Sequence, residues 1–146
     1  MTDTDDSHES IRCTADVIAL TPDLHVLLVK RGRAPFENHW ALPGGYAKGL
    51  PGGYAKGETS PQAATRELAE TGVRVPADKL YLAGVWDRPG PDPRGRYITA
   101  AYLASIPAGT RAVAGDDARW WPLGALPSQL EFDHADILGA ALPSRP

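Results

Sequence analysis

Glu67 and Glu70 stand three residues apart in the run Arg66-Glu67-Leu68-Ala69-Glu70-Thr71-Gly72-Val73. If that run is helical, the spacing puts both carboxylates on one face. Just upstream, Leu-Pro-Gly-Gly-Tyr-Ala-Lys-Gly occurs twice in tandem, at residues 42–49 and 50–57, and Glu58 comes next. Two carboxylates alone on a helix are usually a solvated face. Beside a glycine loop they suit a divalent cation next to a phosphate chain. Mg2+ (or Mn2+) takes hard oxygens, a few carboxylates and substrate phosphates, and glycines leave backbone groups open to a diphosphate. The chemistry such a group supports is metal-assisted attack of water on phosphorus.

A helix must carry these carboxylates. Ser60 reads as its N-cap, Pro61 as its first residue and Gly72 as its stop. Ala64 and Leu68 lie four apart and are expected to face the core. Upstream, residues 11–20 and 25–31 read as strands joined by a turn at Thr21-Pro22-Asp23. Residues 32–39 read as a loop, and Trp40 to Leu42 as a short strand. Downstream, residues 80–86 and 97–106 are β-rich, with Asp87 to Arg96 between them. That connection is either a hairpin loop kept soluble by charge or a substrate loop. In the second reading Arg94 or Arg96 meets phosphate as a planar fork, and Trp86 offers an aromatic face to a base.

The last third carries Gly115-Asp116-Asp117 ahead of an aromatic strand. Good turn chemistry accounts for the two acids, and in a strand Trp120 and Trp121 point to opposite faces. A short helix begins near Asp133, its candidate cap. His134 is expected to pack or cap, and His25 and His39 to lie at the surface or in loops. This order of elements predicts an α+β fold with a mixed sheet.

Composition bounds the rest. The 146 residues suit one domain, residues 11–146, behind an acidic tail at 1–10 that is expected to fray. A net charge of −3 argues against broad nucleic-acid affinity. It does not argue against a nucleotide, because a bound metal supplies positive charge locally. Cys13 is the lone cysteine, which fits a reducing compartment. No apolar run approaches a membrane span, so a cytoplasmic protein is expected.

The chain resembles the Nudix hydrolases. Their motif runs Gly, five residues, Glu, seven residues, then Arg-Glu-hydrophobic-x-Glu-Glu-x-Gly-hydrophobic. It is matched here through Gly52, Glu58, Arg66, Glu67, Leu68, Glu70, Gly72 and Val73. The resemblance implies an α/β/α sandwich. It also implies a catalytic group of Glu67, Glu70, Arg66 and Glu58, with metal held by Glu67, Glu70 and a glycine carbonyl. That carbonyl belongs to Gly52/Gly53 if the helix carries its own loop, or to Gly44/Gly45 if the strand register is kept. Asp117 sits where many members supply a further acid.

The Asp-Pro-Arg-Gly-Arg stretch is similar to that of members close to the ADP-ribose pyrophosphatases, and Arg94, Arg96, Trp86 and Arg31 are the candidate substrate-binding residues. It implies hydrolysis of ADP-ribose to AMP and ribose 5-phosphate. Alternatives are a modified nucleoside triphosphate as substrate, or a nucleotide-sugar binding protein with little turnover. A homodimer stays open. A regulator version is not expected, since the length leaves no room for a DNA-binding domain.

Two departures bear on the chemistry. The adjacent Glu-Glu pair is a single Glu70, with Thr71 next. Losing one helical residue rotates every later residue of the helix by about 100°. The duplicated loop is the other. Its extra residues cost little closure entropy, about 0.6 kcal/mol per doubling of loop length.

Overall fold

In a computed structural model of the chain, the described residues are 11–30, 38–44, 57–87, 96–112, 117–130 and 134–141. The expectations for residues 1–10, Arg31, Gly45, Gly52, Gly53, Arg94 and Asp133 fall outside them.

The turn at Thr21-Pro22-Asp23 separates β1 (Ile11–Leu20) from β2 (His25–Lys30). Then come β3 (Trp40–Ala41), helix α1 (Ser60–Ala69), β4 (Tyr81–Trp86), β5 (Arg96–Ser105), β6 (Ala118–Pro122) and helix α2 (His134–Ala141). The sheet runs β3-β2-β1-β5-β4, with β6 on β2. It is mixed: β1 and β5 are parallel along their whole length, from Ile11 opposite Arg96 to Leu20 opposite Ser105, and the other pairings are antiparallel. Parallel strands need a long crossover and both faces covered. Thr14 to Ala19 of β1 are accordingly all buried.

Alternation along β1 feeds two cores. Ala15, Val17 and Ala19 pack with Ala63, Ala64 and Leu68 of α1, as the spacing of Ala64 and Leu68 predicts. Ile18 packs on the other side with Ile137 and Leu138 of α2. The result is the expected helix–sheet–helix sandwich. Trp120 joins the α1 side and Trp121 the α2 side, so the opposite-face reading holds. Trp121 meets Trp40 edge-to-face at 5.1 Å between ring centroids. No described helix is long and apolar enough to cross a membrane.

Two boundaries next to the duplicated loop differ from expectation. The N-cap of α1 is Thr59, not Ser60, and Pro61 is the second helical residue. Thr59 Oγ1 accepts the Gln62 N–H while Gln62 Oε1 accepts the Thr59 N–H, a reciprocal pair that Ser60 cannot form with Ala63. The other is β3, which stops at Ala41; Leu42 follows it, and its N–H donates to a side chain of α2. At its far end α1 tightens: Glu70, Thr71 and Gly72 donate to Glu67, Leu68 and Ala69, each three residues back. Gly72 then turns out at φ +90°, as expected of a stop.

Beside β1 the sheet has a gap that the chain itself fills. Val26 pairs with both Leu20 and Trp121, and Val29 with both Ala41 and Ala118, so β1 and β3 meet the same edge of β2 in succession. Where β1 departs from β2, Pro43 and Gly44 take its edge. The Val17 N–H donates to Pro43 O at 2.9 Å, and Asp16 pairs with Gly44 in an antiparallel bridge.

Candidate active site

Helix α1 turns its apolar face onto β1 and carries Arg66 and Glu67 at the margin of that contact. Arg66 lies flat against Glu58, with Nε donating to Oε2 at 2.9 Å and Nη2 to Oε1 at 3.1 Å. Its remaining Nη1 donates to Glu67 Oε1 at 3.1 Å. One planar fork thus ties the residue before the N-cap to a carboxylate on the third turn of the helix. The carboxylates raise the Arg66 pKa above its ordinary value, the Glu58 hydrogen bonds most of all.

Glu67 is buried, with a relative exposure of 6%. Its second oxygen, Oε2, has no hydrogen-bond donor among the described residues. Burial pushes the Glu67 carboxyl up to about 7, the neighbouring charge of Glu70 pushes the same way, and Arg66 opposes both. Glu70 is exposed and caps the C-terminal end of α1. A buried carboxylate oxygen without a donor, beside a second carboxylate, is a group that a cation would satisfy. The donor set is all hard oxygen, so these residues fit a divalent metal.

The position after Glu70 tells the opposite way. Thr71 is buried, and its hydroxyl donates to Leu68 O at 2.7 Å, so this oxygen closes the helix end. Among the described residues no group of three or more His, Cys, Asp or Glu side chains gathers as a metal cage. Asp117 is exposed at the entry to β6 and is not brought into such a group.

Of the other sequence candidates, Arg96 opens β5 and its Nη2 donates to Asp87 O at 2.8 Å across the hairpin. Trp86 is half-buried, packs toward the α2-side core and lies against Gly84. Gly44 lies against β1 and Asp16.

Sequence reading did not single out Asp16 or Thr99. Asp16 is 1% exposed and accepts from Thr99 Oγ1 at 2.6 Å, with His134 Nε2 at 3.7 Å. A single acid inside the uncharged, largely apolar stretch Thr14-Ala15-Asp16-Val17-Ile18 was the available signal. His134 packs, as expected: it is 1% exposed and its Nδ1 accepts the Leu42 N–H at 2.9 Å.

Comparison with known proteins matches the NUDIX domain to residues 11–140. An ADP-ribose pyrophosphatase of Methanocaldococcus jannaschii is 37% identical over 119 residues, 80% of this chain and 64% of that protein. The ADPR responsive transcriptional repressor NtrR of Acinetobacter baylyi is 31% identical over 137 residues, 88% of this chain and 52% of that protein. This chain therefore spans less than two thirds of either relative. Among solved structures, a bifunctional NMN adenylyltransferase/ADP ribose pyrophosphatase from Francisella tularensis, complexed with AMP and a Mn ion, superposes with a TM-score of 0.71. It is 28% identical, over 90% of this chain and 41% of that one.

Proposed function

This chain belongs to the Nudix family, and on that premise we propose that it is a pyrophosphohydrolase. Its substrate is a nucleoside diphosphate linked to a second moiety, ADP-ribose first. Water adds to one phosphorus, the P–O bond of the bridge breaks, and the products are AMP and ribose 5-phosphate. The observation that carries this reading is the Glu58–Arg66–Glu67 clamp, which presents a buried carboxylate oxygen with no donor among the described residues. Glu67 and Glu70 would hold Mg2+, or Mn2+, together with a loop glycine carbonyl. When bound, the cation polarises a phosphoryl oxygen and eases deprotonation of water.

The chain's own residues do the rest. Arg66 fixes the orientation of Glu67 through one oxygen and leaves the other turned away from it. Glu58 holds Arg66 by both of its oxygens, so neither side chain spends rotamer freedom when ligand arrives. Arg31, Arg94, Arg96 and Trp86 remain the candidate contacts for phosphate and base. Asp117 remains a candidate acid at the entry to β6. The domain handles a small nucleotide with no nucleic-acid contact of its own, in keeping with its net charge of −3. The lone Cys13 supports a cytoplasmic setting.

A second reading is favoured by Thr71. With that hydroxyl turned to Leu68 O, the site has one carboxylate fewer than the family motif, and a protein that binds ADP-ribose with little turnover is consistent with it. The related repressor is named as responsive to ADPR. Release of AMP from ADP-ribose in Mg2+, measured for the wild type and for Glu67→Gln, tests the first reading. Turnover in the wild type that falls steeply in the variant is expected; equal rates in both remove Glu67 from the site. Tight ADP-ribose binding without AMP release selects the second reading.

A further inference from the structure

We propose that Asp16, Thr99 and His134 are positioning residues that latch the first copy of the glycine loop, at Leu42, Pro43 and Gly44, onto β1, and so decide which copy the sheet takes.

The two copies are identical, so local sequence cannot choose between them. Deleting residues 42–49 or residues 50–57 yields the same chain. Yet the structure treats the first copy in a particular way. Like the Trp40 N–H, which donates to Gln129 O, the Leu42 N–H is on the side of the chain turned away from β2, and it donates to His134 Nδ1 at 2.9 Å. A ring nitrogen that accepts carries no proton, so the imidazole is neutral and its proton sits on Nε2. That nitrogen faces Asp16 Oδ2 at 3.7 Å, and Thr99 Oγ1 donates to the same oxygen at 2.6 Å. Asp16, Thr99 and His134 are each at most 6% exposed.

A carboxylate buried in a sheet is costly and has to be compensated. This one stands under Gly44, where a Cβ would run into Asp16 Oδ1 and the Ala15 carbonyl. Gly44 also sits at φ +151°, a conformation that side chains disfavour. The latch thus joins four separate parts of the chain, β1, β5, the residue after β3 and the first residue of α2, around one glycine. The second copy meets different constraints at its other end, where Gly57 turns at φ +80° into Glu58 and the capped start of α1. One copy is bound to the sheet, and the end of the other is bound to the helix.

The effect of this latch on turnover rests on the proposed function; the latch itself does not, and the experiment reads the two separately. Amide hydrogen exchange at Leu42 in the wild-type chain is the primary measurement. Exchange about 100-fold slower than in an unstructured chain is expected, and free exchange at Leu42 overturns the proposal outright. His134→Leu removes the acceptor and should abolish that protection. His134→Asn, whose side-chain oxygen can accept the same N–H, should restore most of it. A merely space-filling histidine predicts the reverse order.

Gly44→Ala should lose the Leu42 protection and lower the unfolding midpoint, whereas Gly52→Ala should leave both as in the wild type. Equal effects of the two alanines would overturn the proposal. This pair decides the matter even if His134→Leu fails to fold. In the enzyme assay, His134→Leu should lower kcat for ADP-ribose about 10-fold or more with KM little changed, and His134→Asn should recover it. A protected Leu42 in a chain that releases no AMP sinks the proposed function and leaves the latch standing.

Discussion

Arg66 grips both oxygens of Glu58 and gives its last nitrogen to Glu67, so that a residue outside the helix sets the orientation of a carboxylate within it. The three side chains are linked in series, and the effect of breaking the chain depends on where it is cut.

Arg66→Lys keeps the charge but loses the fork, since an ammonium is a point donor. With Glu67 no longer held, kcat for AMP release should fall about 10-fold or more, in line with the loss of charge-assisted hydrogen bonds. Glu58→Gln should fall less, because its amide oxygen still accepts from Arg66. Steady-state rates in Mg2+ rank the two, and an equal or opposite ranking counts against the serial arrangement.

The Glu67 carboxyl titrates near 7 in the folded protein against an ordinary 4.5. Its folded pKa is raised, so between those values the folded state holds more protons than the unfolded one. Stability of the metal-free protein should therefore drop as pH rises from about 4.5 to about 7, by up to about 3 kcal/mol from this group. Denaturation in EDTA across that range, for wild type minus Glu67→Gln, isolates the contribution. A difference that stays flat with pH refutes it.

Cation binding competes with that same proton. Below about pH 7, Mg2+ or Mn2+ should displace it from Glu67, so metal affinity rises with pH and calorimetry in two buffers records proton release. Above that pH the release should vanish. No release at pH 6 would place the metal elsewhere.

Inserting a glutamate after Glu70 restores the family's adjacent pair. If the shortened cluster limits turnover, kcat should rise about 10-fold or more while ADP-ribose affinity holds within about a factor of three. An unchanged kcat shows that Thr71 is not the limiting feature.

Thr59→Ala should cost about 1 kcal/mol, because it removes the side-chain acceptor at the start of α1. Ser60→Ala should be neutral within about 0.5 kcal/mol, since its buried hydroxyl has no partner among the described residues. Urea denaturation of both variants distinguishes the observed cap from the one the sequence suggested.

Local rules determined much of this protein. Alternation placed Trp120 and Trp121 on opposite faces, and four-residue spacing aimed Ala64 and Leu68 at the sheet. These stem from periods of two and of about 3.6 residues, which a short window contains. Only the tertiary structure decided that Glu67 is buried while Glu70, three residues on, is exposed, because burial depends on what packs above the helix end. It also decided that Asp16, Thr99 and His134 meet, across 83 and 92 residues of chain, around Leu42 and Gly44. A repeated loop carries no local instruction about which copy to use; that choice is made by partners far away in sequence, once the sheet has brought them together.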